Sequence, residues 1–215
     1  MSSLSMEDLL KRLVSEKVDP NDQIFSYLCE TDTKKLRYWL AKLEKVRAVK
    51  TTSKVDKGRK SNLTGRIFER LVRCLFDGCH AMRALPNVHT TTSEIDFLVE
   101  VLPLGKVVPF VDSCGTHLMG EAKCVLKGLK KEWVDELRGI MDTHGTRRGL
   151  LFTAVPPRKL MREPRVSIAL HAAQDRLVIP FGLTQIAAVM DGENFLKILS
   201  RQAISASNHL SDLGV

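Results

Sequence analysis

Residues 93–101 read SEIDFLVEV and residues 117–124 read HLMGEAKC, and these two stretches decide the fold. Both have the apolar character of buried strands. Because side chains on a strand point to alternate faces, Glu121 and Lys123 share one face of the second strand. Asp96 lies near the start of the first strand, so pairing of the two strands would bring its carboxylate to the same place. The sequence therefore predicts a cluster of two carboxylates and one ammonium group.

Such a cluster suits a hard divalent cation. Mg²⁺ prefers oxygen ligands and usually takes only one or two protein carboxylates, which leaves room for water and phosphate oxygens. A protonated lysine cannot bind a metal ion, but it can hold a phosphate oxygen or a metal-bound water. The two strands therefore predict the core of a metal-dependent phosphodiesterase.

The composition is that of a folded, basic protein. The chain has 215 residues, of which 44% are apolar, and a formal net charge of +8. This charge favours a polyanionic partner, with nucleic acid first, although many soluble proteins are equally basic without one. The five cysteines have no spacing typical of a zinc site, which favours reduced thiols in the cytoplasm. The first residues do not resemble a secretion signal, and no apolar run reaches the roughly 20 residues that a membrane helix needs.

Residues 1–48 predict a small helical domain. Apolar residues recur at helical spacing over 6–16, over 23–29 and again after residue 33. The lysines and arginines of the third helix would suit docking on DNA, as in a relative of the helix-turn-helix motif. The alternative is a helical cap or dimer-forming piece with a solvated basic face, which would contact another protein. Residues 49–61 are polar and basic without apolar periodicity, and they predict a linker or an arm along a phosphate backbone.

The next helix, from about residue 62 to residue 76, carries an acid close to its apolar stripe. Ile67, Leu71 and Leu75 belong to that stripe, and Glu69 lies beside it instead of on the opposite polar side. A buried carboxylate must be paired or must bind a metal ion. Glu69 is therefore either a further site residue or the partner of a neighbouring arginine.

The rest of the chain alternates strands and helices. A short strand and a loop fit residues 79–92, and an apolar run at 107–111 predicts a strand in the long insertion between Asp96 and Glu121. That insertion could form a hairpin that reaches over the site. Further elements are expected at 126–143 (helix), 149–154 (central strand), 166–174 (helix), 177–180 (strand) and 183–199 (one or two helices), with a frayed tail at 203–215. This order predicts an α/β fold with a mixed β-sheet flanked by helices.

The ordered set of acidic residues resembles the PD-(D/E)xK nuclease superfamily, whose members share the restriction-endonuclease-like fold. The resemblance covers residues 62–199 and is closest to the Mrr-like restriction endonucleases. In that branch a Gly-x-x-Phe-Glu helix, an Ile-Asp strand, a Glu/Gln-x-Lys strand and a later Phe-Thr strand recur. One departure from the superfamily pattern is that no proline precedes the aspartate. The matching residues here are Gly65, Phe68 and Glu69, Ile95 and Asp96, Glu121 and Lys123, and Phe152 and Thr153.

The resemblance implies a nuclease domain over residues 62–202 and a role for each matched polar residue. Asp96 and Glu121, with the backbone carbonyl of Ala122, would bind Mg²⁺ or Mn²⁺. Lys123 would orient or help to deprotonate the attacking water and would steady the transition state. Glu69 would hold a metal-bound water or a second metal ion.

The function expected from this set is a metal-dependent DNA endonuclease of the restriction, defence or repair kind. It would act on duplex or branched DNA, as a homodimer where both strands are cut. A Holliday-junction resolvase shares the implied fold and is an alternative within this class. The alternative from another class is a protein that binds nucleic acid or a protein partner without cleaving. The sequence has no Gly-x-Ser-x-Gly, no GxGxxG and no P-loop motif, so those chemistries lack support.

Overall fold

The structure, a computed structural model, describes residues 20–89, 94–125, 129–154 and 162–208. The strands are β1 (Met82–His89), β2 (Glu94–Val101), β3 (His117–Lys123), β4 (Arg148–Thr153) and β5 (Leu177–Phe181). The helices are α1 (Pro20–Leu28), α2 (Thr33–Ala48), α3 (Lys54–Arg73), α4 (Pro109–Asp112), α5 (Lys131–Thr143), α6 (Arg162–Ala172), α7 (Leu183–Met190) and α8 (Phe195–Asn208). A 3₁₀ helix spans Pro103–Val107.

These elements form a five-stranded mixed sheet in the order β1-β2-β3-β4-β5, flanked by helices. The predicted α/β class with a mixed sheet is therefore confirmed. The helix expected at 6–16 lies outside the described residues. Across the described ranges, none of the helices combines the length and the apolar character needed to cross a membrane.

Strand direction determines which residues meet at each end of the strands. β1, β2 and β3 are antiparallel neighbours, whereas β3, β4 and β5 run parallel and are connected through α5 and α6. The carboxyl ends of β3 and β4 therefore lie at the same end of the sheet as the amino end of β2. Asp96, near the start of β2, and Lys123, at the end of β3, are consequently found at that end.

Aromatic rings form the centre of the core on one face of the sheet. Their centroids lie 5.1 to 6.2 Å apart, and most of the pairs meet edge to face, which adds to the gain from burying their apolar area. Gly120 of β3 faces one of these rings across the β2–β3 pair, and a β-carbon on it would lie 3.1 Å from the Cβ of Phe97. The rings are those of Phe76, Phe97, Phe152, Phe181 and Phe195.

The helices that precede the sheet share its hydrophobic core. Leu36 and Leu43 of α2 are fully buried in that core. The Asn194 side-chain amide donates hydrogen bonds to the carbonyls of Phe25 and Cys29, at 2.7 and 2.8 Å. The described part of the predicted N-terminal helical domain therefore shares the core of the sheet through buried leucines and is hydrogen-bonded to the connection between α7 and α8.

α3 begins earlier than the sequence suggested, because residues 54–61, expected as part of a linker, form its first turns. Ser53 caps the helix: its Oγ accepts a hydrogen bond from the Asp56 N–H at 3.0 Å and donates one to the Asp56 carboxylate at 2.6 Å. The Lys60 ammonium donates to two carbonyls at the carboxyl end of α2. The linker prediction was wrong here because a cap and contacts with α2, and not a buried apolar stripe, hold these turns.

Three other predictions were wrong. The apolar run at 107–111 is not a strand but the end of the 3₁₀ helix and the start of α4, since Pro109 has no N–H for a ladder and occupies the first turn of α4. This insertion joins the carboxyl end of β2 to the amino end of β3. It therefore lies at the opposite end of these strands from Asp96 and is not a hairpin over the site. Residues 203–208, expected as a frayed tail, continue α8 and include two buried alanines.

Candidate functional site

The β2–β3 ladder ends before either strand does. The described register runs from Glu100–His117 to Phe97–Gly120, and one step further would place Asp96 opposite Glu121. β3 remains paired with β4 as far as Lys123, so β3 follows β4 and leaves β2 at this point. We call this end of the β2–β3 pair, with Asp96, Glu121 and Lys123, the open end.

At the open end a side chain takes the place of a backbone acceptor. The Ala122 N–H donates to Oδ2 of Asp96 at 2.8 Å. A hydrogen bond between a backbone N–H and a carboxylate is charge-assisted and stronger than a neutral one. Asp96 is therefore held against the backbone of β3, between the two residues that the sequence selected on that strand.

Glu121 and Lys123 contact each other directly. Oε1 of Glu121 lies 2.6 Å from Nζ of Lys123, and their side chains are only 12% and 23% exposed. Both point to the same face because they are two residues apart on one strand. The structure thus brings together three of the four residues predicted as catalytic: Asp96, Glu121 and Lys123.

Burial and like charge make it unfavourable for the carboxylates of the open end to be ionised together. Burial, followed by the charge of the neighbouring Asp96, raises the pKa of Glu121 to about 7, against the opposing effect of Lys123. Burial lowers the pKa of Lys123, but its hydrogen bond with Glu121 and the charge of that carboxylate leave the pKa above its ordinary value. Lys123 is therefore an ammonium at neutral pH, whereas Glu121 is close to its midpoint.

Glu69, the fourth predicted residue, lies on α3 near Cys124. It is partly buried, and its charge contributes to raising the pKa of the Cys124 thiol, after the larger effect of burial. Cys124 directly follows Lys123, and α3 packs against β3. Glu69 is therefore near the end of β3, and a role for it around a metal ion stays a prediction.

Glu136 of α5 is a site neighbour that the sequence analysis did not select. Its Oε2 lies 3.5 Å from Nζ of Lys123, with 56% of the Glu136 side chain exposed. On α5 it follows the partly buried Trp133 by three residues and precedes Ile140 by four, which places it at the edge of the packed face. That spacing was a usable signal, but only the packing of α5 on the sheet shows which lysine it reaches.

The donor set fits a hard divalent cation held by few protein ligands. Two carboxylates with a raised pKa on one of them form a locally unfavourable pair that a cation would relieve. Over the described ranges, no group of three or more histidine, cysteine, aspartate and glutamate side chains is arranged to hold a metal ion. Asp96 and Glu121 are the side chains that would hold such a cation, with a backbone carbonyl such as that of Ala122 and water completing the shell. This number of carboxylates is usual for Mg²⁺.

A second polar cluster joins α5 to α6 and has a different character. Oδ1 of Asp135 lies 2.8 Å from Nε2 of His171, and Oγ of Ser167 lies 3.2 Å from the same Nε2. A nucleophilic triad needs the acid and the hydroxyl on opposite ring nitrogens, so this arrangement is not one. Ser167 is also 2% exposed. The cluster is a structural contact between two helices.

No family model, curated protein or solved structure matches this chain. The site therefore has to be interpreted from its own residues and geometry.

Proposed function

We propose that this protein is a metal-dependent DNA endonuclease with a restriction-endonuclease-like fold. The observation that carries the proposal is the meeting of Asp96, Glu121 and Lys123 where β3 leaves β2. Two carboxylates from adjacent strands can hold a divalent cation, and a lysine two residues further along can hold a phosphate oxygen, which together suit metal-assisted phosphodiester hydrolysis. The mixed five-stranded sheet with flanking helices supports the fold assignment.

Each residue has a role that follows from its surroundings. A bound Mg²⁺ or Mn²⁺ would lower the pKa of a water molecule and neutralise charge on the phosphate. Asp96, held by the Ala122 N–H, and Glu121 on the neighbouring strand would be the side chains that hold the ion. Glu121 exchanges its proton near neutral pH, so it can ionise when a cation arrives.

Lys123 is best suited to act as a charge and a hydrogen-bond donor. Its raised pKa keeps it protonated at neutral pH, so it would hold a phosphate oxygen or orient the attacking water in preference to removing a proton. Glu121 and Glu136 hold its ammonium between two carboxylates, at 2.6 and 3.5 Å. The sequence-based role as an aid to deprotonation is therefore the less favoured of the two.

Cleavage of a mixed panel of DNA tests this proposal. The panel contains supercoiled plasmid, linear duplex, single strand and a four-way junction, each with Mg²⁺, with Mn²⁺ and with EDTA. We expect cutting that requires metal and falls about 10³-fold in Asp96→Ala and in Lys123→Ala. Arg83→Ala is the matched control, because it removes an exposed charge at the opposite end of the strands from Asp96. This variant should cut like the wild type.

The panel also separates the alternatives. Preference for the four-way junction would identify a resolvase, and preference for duplex would favour a restriction or repair nuclease. No cutting of any substrate by the wild type, with DNA binding unchanged in Asp96→Ala and Lys123→Ala, would replace the nuclease with a protein that only binds. Equal residual cutting in all four proteins would show that a contaminant is responsible.

A further inference from the structure

A basic groove lies between the carboxyl end of α2 and the amino-terminal half of α3. It consists of two adjoining depressions of about 230 and 410 Å³, which share Thr51 and Lys60 in their walls. We call this surface the basic groove, and its cationic residues are Arg47, Lys50, Lys57, Arg59 and Lys60.

Most of the excess positive charge of the chain lies on this part of the molecule. Residues 42–66 contain nine lysines and arginines and two acidic residues, so they carry a net charge of +7 of the +8 of the whole chain. Lys50, Lys57 and Arg59 are exposed. Clustered cations on one surface raise the local concentration of a polyanion and its rate of association.

The groove is held in shape by its own hydrogen bonds. The Lys60 ammonium donates to the carbonyls of Arg47 and Val49, at 2.6 and 2.5 Å, and so ties α3 to the last turn of α2. Thr64 Oγ1 donates to the Lys60 carbonyl at 2.6 Å. A cationic surface that is already ordered loses less conformational entropy when a ligand binds.

One end of the groove lies at the carboxyl end of β3. Nη2 of Arg47 lies 3.4 Å from Sγ of Cys124, and both residues line the smaller depression. Cys124 directly follows Lys123. The groove therefore ends beside the carboxyl end of β3, one residue along the backbone from Lys123, whose own side chain points to the face of the strand that carries Glu121.

We propose that the basic groove binds the sugar-phosphate backbone of duplex DNA next to the phosphate that is cleaved. This inference rests on the proposed function, because it names the part of that substrate which the groove would hold. The lining consists of cations, small hydroxyl side chains, a few aliphatic ones, the Cys124 thiol and the carboxylate of Asp56, which accepts a hydrogen bond from Ser53. None of the lining residues in the described ranges is aromatic. Such a surface holds phosphates and does not stack on bases, so binding should not depend on sequence.

Salt dependence of binding is the sharpest test, because each phosphate contact contributes close to one unit to the slope of log K against log salt concentration. Binding of a 20-base-pair duplex is measured in EDTA, where the metal-dependent reaction does not proceed, over a range of NaCl concentrations. For Lys57→Gln/Arg59→Gln we expect the slope to fall by about two and the affinity to fall roughly tenfold or more at 0.1 M salt.

The matched control removes the same charge elsewhere. Lys34 lies at the amino end of α2, about 20 Å along the helix from the groove, and Lys106 lies at the opposite edge of the sheet. Lys34→Gln/Lys106→Gln should bind with the wild-type slope. All four positions are exposed, so thermal unfolding should report a folded protein for both double variants.

The outcomes for the groove and for the nuclease are distinguishable. If the groove variant loses slope and affinity but the wild type cuts nothing with metal, the groove stands as a surface that binds DNA and the nuclease falls. If the wild type cuts DNA and the groove variant binds and cuts like the control, the nuclease stands and the groove is overturned. Groove-dependent binding of an RNA duplex of the same length, without binding of DNA, would also overturn the assignment.

Discussion

The two ends of the β2–β3 pair differ in how their backbone N–H groups find hydrogen-bond acceptors. At the end where β2 stops and β3 begins, which we call the closed end, backbone groups satisfy one another. The Val101 N–H donates to the Thr116 carbonyl and the Leu102 N–H to the Ala81 carbonyl, both at 2.9 Å. At the open end the ladder stops early, and the carboxylate of Asp96 accepts the hydrogen bond of a β3 amide. There a side-chain carboxylate accepts the hydrogen bond that a backbone carbonyl accepts at the closed end.

The charges of the two ends differ in the same way. Arg83 and Glu100 form a 2.6 Å ion pair at the closed end, with 61% and 41% of their side chains exposed. Glu121 and Lys123 make a contact of equal length at the open end, but their side chains are 12% and 23% exposed. The pair at the open end has the same contact distance, but both of its groups are largely removed from water, and the Glu121 carboxylate is also repelled by that of Asp96. Stability alone does not favour that arrangement, and a bound cation would.

The largest stability effect is expected from Glu121→Gln. The pKa of Glu121 is raised from 4.5 to about 7, so between these pH values the folded protein holds a proton that the unfolded chain has released. The wild type therefore loses stability as the pH rises through this window, by on the order of 3 kcal/mol, and the loss levels off above it. The variant cannot ionise, so its free energy of unfolding relative to the wild type should rise by that amount. Urea unfolding in EDTA at several pH values measures the difference.

A metal-binding control sharpens this result. Adding Mg²⁺ at pH 8 should raise the melting temperature of the wild type and not that of Glu121→Gln, because only the ionised pair can hold the ion. A flat difference curve for Glu121→Gln would mean that burial does not raise this pKa, and the contrast between the two ends would then fail.

A smaller effect is expected when the substitute hydrogen bond is removed. Asp96→Ala leaves the Ala122 N–H without its carboxylate acceptor, which should cost about 1–2 kcal/mol of unfolding free energy. Asp96→Asn keeps an oxygen at that position and should cost less than half as much. Both variants should lose cleavage, since the amide cannot replace the charge. Comparison of their unfolding at pH 6 checks this, and equal stability of the two variants would show that the hydrogen bond contributes nothing.

The open end was predictable from sequence only in part. Alternation along β3 correctly placed Glu121 and Lys123 on one face, and the strand pairing correctly brought Asp96 near them. The early end of the ladder and the bond to the Ala122 N–H were not predictable, because they depend on β3 following β4 in preference to β2. Local propensity contains no information on that competition.

Contacts between distant elements explain the other failures. Residues 54–61 lack an apolar stripe, yet they are helical because Ser53 caps them and Lys60 bonds to the end of α2. Glu136 joined the site through the packing of α5 on the sheet. The run at 107–111 looked like a strand by composition, whereas Pro109 starts a helix there. In each case a cap, a proline or a non-local contact overrode the periodicity.

The smallest effect should be found at the closed end, in the coupling between Arg83 and Glu100. Both side chains are largely hydrated, so a double-mutant cycle with Arg83→Ala and Glu100→Ala should give a coupling energy of about 0.5 kcal/mol. That energy should vanish in 1 M NaCl, because the Debye length is then only about 3 Å. The equivalent cycle with Glu121→Gln and Lys123→Met should give a larger coupling that is less sensitive to salt, since that pair is largely buried. Equal and equally salt-sensitive couplings at both ends would mean that burial makes no energetic difference between them, and the open end would then be an ordinary surface cluster and not a site prepared for a cation.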